Sequence, residues 1–287
     1  MKDHKRALIF LIGVLGFLAA PLSALAQSPA KQPAPPTLKT RPIPRTPDGK
    51  PDFTGFWAEW RRVTALSDLG ALYAARQKEI NATLPRAPRD EWGLTPWAAE
   101  RLKYNMDPLY VDDDGKPAPR IRNELDPSSH CFPSGAARLN APLQMFQIPG
   151  QVWMIYQENT EVRQIFTDGR KHPQGDALEL TWNGHSIGTW EGDTLVVDTV
   201  GMRDETLLDG AGHVHSDQLR IVERIRRIAY DVLQIEKTYT DPKALTKPHT
   251  EANTYPLAPA DWDLLQDIKC EEKFQKGIWY GEGPSSY

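Results

Sequence analysis

From residue 147 onward the chain is a succession of short β-rich runs joined by turns, with no helical periodicity between them. This limits the fold more than any other feature. A parallel α/β sheet needs a crossover of a dozen or more residues, usually helical, between successive strands, and this half of the chain has none. Runs 152–157 and 162–167 flank E-N-T-E. Runs 186–190 and 194–199 flank Glu191-Gly192-Asp193, read as a bulged three-residue hairpin turn. Run 218–228 turns at Tyr230-Asp231 into 232–240, and runs 250–257 and 264–272 follow. With a first strand over 52–60, the pattern predicts a mainly β, antiparallel protein of about 8–10 strands. Hairpins of this kind close into a barrel or stack as a sandwich, and only a barrel removes the exposed edges.

Alternation assigns faces within the strands. Leu195, Val197 and Thr199 share one face of their run, as do Arg163, Ile165 and Thr167 of theirs, and Leu219, Ile221, Glu223 and Ile225 of a third. Residues 64–105 instead carry Leu66, Leu69, Leu72 and Tyr73 at helical spacing, followed by Ala74, Ala75 and Ile80. After a proline-containing break, Thr95 fits an N-cap and Pro96 a first helical position. About two helices are expected, packed outside the barrel or over one end.

The N-terminus reads differently. Lys2, Lys5 and Arg6 precede an apolar run over 7–20, and Ala24-Leu25-Ala26 supplies a small-residue cleavage site. Residues 1–26 are therefore expected to be a signal peptide, since the apolar core is shorter than a membrane span. No later run is apolar enough to cross a membrane. Residues 27–51, rich in proline, lysine and arginine, read as a disordered tether, and 52–287 as one barrel domain. In an exported chain the two cysteines, Cys131 and Cys270, are expected to pair; two separate thiols are the alternative. The net charge of −4, without a basic patch, argues against a nucleic-acid partner. Asp112-Asp113-Asp114 lacks the ligand spacing of a calcium loop and reads as a solvated turn.

Glu223 is the first candidate for chemistry, because a carboxylate among aliphatic side chains tends to titrate high and can act as a general acid or base. The structural alternative is an ion pair with an arginine across the barrel. His215, beside Ser216 and Asp217, and His185 are candidate proton-transfer partners. Arg163 and Arg170 could anchor an anionic group, or pair with Glu158, Glu161 or Asp168. Trp57 and Trp190 could line a small-molecule pocket, although core packing explains either one. His213 and His215 could hold a metal with a third ligand such as His185, Asp193 or Glu223; the spacing identifies no third ligand, and no cofactor is called for.

Gly55-Phe56-Trp57 on the first strand resembles the G-x-W signature of lipocalin-type (calycin) barrels. More extensively, P-D-F-T-G-F-W, D-G-R-K-H-P, W-E-G-D-T-L-V-V-D-T, H-S-D-Q-L-R-I-V-E-R and T-D-P-K-A-L-T-K-P are similar to a family of secreted bacterial proteins of unassigned function, over residues 51–270. The lipocalin resemblance implies a cup for a small, often hydrophobic ligand, in a fold that serves both carriers and acid–base enzymes. The leading expectation is a periplasmic or secreted barrel that binds a small hydrophobic or aromatic molecule. It would convert that molecule as a hydratase, lyase or isomerase does. A non-catalytic carrier and a metal-dependent hydrolase are the alternatives.

Overall fold

A computed structural model describes residues 41–84, 91–106, 126–157 and 160–262. The signal peptide, the acidic triplet, the strand expected over 264–272 and the Cys131–Cys270 pairing involve residues outside that set.

Nine strands form one sheet in chain order: β1 (Gly55–Trp57), β2 (Leu143–Ile148), β3 (Gln151–Tyr156), β4 (Val162–Phe166), β5 (His185–Glu191), β6 (Thr194–Val200), β7 (Arg220–Ala229), β8 (Val232–Thr240) and β9 (His249–Pro256). The ring is nearly closed, because Ala58 N–H donates to Pro256 O at 2.9 Å and Ala258 N–H to Phe56 O at 2.8 Å. Every neighbouring pair is antiparallel except β4 and β5, which run parallel through Ile165 opposite Ser186 and Phe166 opposite Ile187. At this one step the structure corrects the antiparallel barrel expected from the sequence. The connection over 167–184 is long enough for a crossover without being a regular helix.

Strand alternation holds well. Arg163 and Ile165, Leu195, Val197 and Thr199, and Ile221, Glu223 and Ile225 are all buried. They share the interior with Trp57, Leu143, Met145, Met154, Tyr156, Leu233 and Ile235. The β5–β6 turn is tighter than expected: Glu191 pairs with Thr194, leaving only Gly192-Asp193 between strands, with Gly192 at φ 59°. Glycine reaches that left-handed conformation without the steric cost other residues bear.

Three helices occur among the described residues, rather than two: α1 (Trp60–Leu66), α2 (Gly70–Thr83) and α3 (Pro96–Asn105). The Thr95 side chain accepts from Ala98 N–H at 3.3 Å, with Pro96 in the first turn, as the N-cap reading required. The buried face of α2 differs from the expected leucine stripe. Leu66, Leu69 and Leu72 are exposed, whereas Tyr73, Arg76 and Ile80 are buried. Polar contacts set that orientation. Arg76 makes two 3.1 Å bonds to Asp231 in the β7–β8 turn, and the Tyr73 hydroxyl donates to Leu257 O at 2.9 Å.

Residues 41–51, expected to belong to the disordered tether, lie against the barrel. Arg45 and Pro51 form a β-bridge, and Arg45 makes two 2.7 Å bonds to Asp193. The arginine that looked like tether charge thus finds its carboxylate in the β5–β6 turn.

Candidate functional site

Interior alternation carries three ionisable side chains to the middle of the barrel. Arg163 comes from β4, Glu223 from β7 and Lys237 from β8, where register places Lys237 directly opposite Glu223. All three are at most 3% exposed. Arg163 donates to Glu223 Oε2, to Thr199 Oγ1 at 2.7 Å and to Ser186 Oγ at 3.1 Å. Lys237 Nζ donates to Leu139 O at 2.6 Å and to Ala136 O and Ala137 O at 3.3 Å each. These carbonyls belong to the segment that leads into β2.

This geometry corrects the reading of Glu223 as a high-titrating carboxyl. Burial pushes it up, but attraction to Arg163 and then Lys237 outweighs burial and holds it below the ordinary carboxylate range. Arg163 is correspondingly raised; burial opposes its charge, and Glu223 more than compensates. The ion pair across the barrel, weighed as the structural alternative, is what the fold contains.

The other sequence candidates are scattered rather than gathered. His215 is 1% exposed, with Nδ1 donating to Ser216 O at 2.9 Å and Nε2 at 2.6 Å from Thr206 Oγ1. A carbonyl only accepts, so His215 is the neutral Nδ1–H tautomer, and its partners do not include Glu223. Burial lowers its pKa. The native state therefore binds this proton less readily than the unfolded chain. His215's contribution is complete above the ordinary histidine value of 6.5 and declines as pH falls below it. Urea midpoints measured across that range should fall with pH, and less so in His215→Gln.

Arg170 turns back onto Asp168 at the strand end, with bonds of 2.5–3.0 Å. Trp57 is fully buried core, its indole N–H donating to Phe53 O at 2.9 Å. Trp190 packs against Phe53 with ring centroids 5.4 Å apart. His185 lies on the outer face, its Nδ1 2.8 Å from that of His172. His213 bonds Asp209 instead of converging with His215. No group of three or more His, Cys, Asp or Glu side chains among the described residues is placed to hold a metal ion. No helix among them is long and apolar enough to cross a membrane.

One carboxyl that the sequence reading passed over has the properties sought in Glu223. Glu161 precedes β4 and, two residues from Arg163, faces the same way. It is 4% exposed. Its Oε1 accepts from Ser134 N–H at 2.6 Å and Ser134 Oγ at 2.9 Å, whereas Oε2 has no hydrogen-bond partner. Burial pushes the carboxyl up, and the Ser134 bonds, with looser approaches of Asn183 and Gly135 that fall short of hydrogen-bond geometry, offset only part of that. Among the described carboxyls with a resolved shift, it alone moves upward. Asn183 Oδ1, close by, is likewise buried without a partner. Chain neighbours of Ser134 and Asn183 supply aromatic surface, since Phe132 and Trp182 stack at 5.6 Å and Arg203 lies 4.6 Å over Trp182. Glu161 falls in E-N-T-E, ahead of the 162–167 run, so strand alternation does not cover it; extending the period of Arg163 and Ile165 one step back brings it to their face.

No family model, curated protein or solved structure matches the chain.

Proposed function

We propose that this chain is a secreted or periplasmic barrel, lipocalin-like in offering one end to a small molecule, although the parallel β4–β5 step departs from a simple meander. The molecule enters beside Glu161 and exchanges a proton with it, as in a hydratase, lyase or isomerase. The observation that carries this reading is the Glu161 carboxyl: buried, raised in pKa by that burial, with one oxygen unpartnered. Buried polar atoms are nearly always hydrogen-bonded, so two orphaned oxygens beside an aromatic rim favour a ligand carrying hydrogen-bond donors on a flat apolar frame. Ordered water bridging the two is the competing account.

Glu161→Gln separates the two. The amide keeps an acceptor for Ser134 but cannot exchange a proton. A carboxyl raised in the native state contributes its stability below the ordinary value of 4.5 and loses it as pH rises through the native pKa. At neutral pH the glutamine variant should therefore be at least as stable as the native protein. With a periplasmic metabolite extract, mass spectrometry should show species altered by the native protein. Conversion by Glu161→Gln should be roughly 10²–10⁴-fold slower, the usual worth of a general acid or base. Species retained but never altered by the native protein would establish a carrier instead.

A further inference from the structure

A second cluster lies in the loop between β6 and β7. Asp209 Oδ2 accepts from His213 Nδ1 at 2.8 Å and from the Trp92 indole N–H at 3.1 Å. Asp209 Oδ1 accepts from the backbone N–H of Ala211 at 3.0 Å and of His213 at 3.2 Å. Four donors thus hold this carboxylate in place. The same contact orients the imidazole: an ionised carboxylate only accepts, so Nδ1 donates to Asp209 and Nε2 is the ring nitrogen left outside that bond. The bonds to His213 and the backbone outweigh burial and keep Asp209 below the ordinary range.

The surroundings are aromatic. Trp92 stacks on His249 at 3.7 Å and lies 5.6 Å from the His213 ring and 5.4 Å from Tyr239, whose hydroxyl donates to Glu251 at 2.7 Å. The His213 side chain is 17% exposed, so solvent reaches it. The bland account is that Asp209 caps the 209–213 turn through its two backbone bonds. That account explains Oδ1; it does not require an imidazole, or an indole, on Oδ2.

We propose that Asp209 and His213 form a second proton-transfer centre, independent of Glu161, in which His213 Nε2 accepts a proton from water and Asp209 is the positioning residue. The substrate class that fits is a neutral ester with an apolar acyl group, since the ring contacts around His213, through Trp92 to Tyr239 and His249, are aromatic. In the step, Nε2 takes one proton of a water whose oxygen bonds to the acyl carbon. The ester C–O bond breaks with its electron pair on the leaving oxygen, and the imidazolium returns its proton to solvent or to that oxygen.

The test uses p-nitrophenyl acetate as the probe, with ¹⁵N spectra of histidine-labelled full-length protein. The native protein should hydrolyse the probe above the buffer rate, with a roughly 100-fold or greater loss in His213→Gln, as expected for a lost general base. In Asp209→Asn the rate should also fall, His213 should lose its single Nδ1–H tautomer, and Asp209→Glu should recover part of both. Merely structural capping would not move the tautomer. Native-like hydrolysis by His213→Gln, or no hydrolysis above buffer by the native protein, overturns the proposal. So does an Nε2–H tautomer in the native spectrum, a reading available even if Asp209→Asn fails to fold.

Discussion

Arg163→Met lowers the stability of this protein by about 3–5 kcal/mol, the usual cost of removing one partner from a buried ion pair. The magnitude comes from what remains. Glu223 is fully buried, its Oε1 already lacks a hydrogen-bond partner, and Arg163 is the first of the charges holding it ionised. Without the guanidinium, Thr199 and Ser186 also lose a donor. The pH dependence should change sign as well. In the native protein the Glu223 carboxyl is depressed, so its stabilisation is present above the ordinary value of 4.5 and lost as pH falls. Once burial is no longer offset by Arg163, the native pKa rises, and stability is instead lost as pH rises toward neutrality. Urea denaturation at mildly acidic and neutral pH measures both effects. The double variant Arg163→Met with Glu223→Leu should recover most of the loss, because apolar side chains of similar volume often replace a buried pair at little cost. A double variant as unstable as the single one would show that the pair contributes through geometry rather than charge.

Lys237→Met is the second large effect, also about 3–5 kcal/mol, and it should be felt locally. The ammonium is the donor for three carbonyls, of Ala136, Ala137 and Leu139. Among the described residues Ala137 O has a second donor nearby, the Tyr239 hydroxyl at 3.1 Å, whose single proton it shares with Glu251 at 2.7 Å. Methionine fills similar volume but leaves buried acceptors unmet, and a buried unmet polar group costs about 1–3 kcal/mol. Burial lowers the Lys237 pKa while Glu223 and Glu251 raise it, so the charge itself depends on the carboxylates facing it. Amide hydrogen exchange should show residues 136–141 losing protection well before β6–β8 do. Uniform loss across the barrel would mean that this segment and the sheet open as one unit.

Alternation located the interior positions because one face of a closed sheet must be buried and the other solvated, a local rule with a period of two residues. Arg163, Glu223, Thr199 and their aliphatic neighbours follow it. Partner choice is different. Arg163 and Glu223 are 60 residues apart in sequence, and which carboxylate meets the guanidinium depends on the shear and closure of the sheet. Glu223, chosen as an isolated carboxyl, was neutralised by that closure. Glu161, one step before the run that alternation covers, was left with one oxygen unmet. Leu66, Leu69 and Leu72 show the same limit, since helical spacing located the helical region while the Arg76–Asp231 contact selected the buried face of α2.

By itself, then, the order of residues determined a mainly β protein, the extent of most strands, the Thr95 cap and the list of inward-facing side chains, because each depends on neighbours within a few positions. Tertiary structure decided the parallel β4–β5 step, the seating of residues 41–51 on the β5–β6 turn, the engagement of His215 by Thr206 and Ser216, and the Asp209–His213 pair. Those outcomes turn on which groups closure of the ring and packing of its loops bring within hydrogen-bond distance, and no local periodicity encodes that distance.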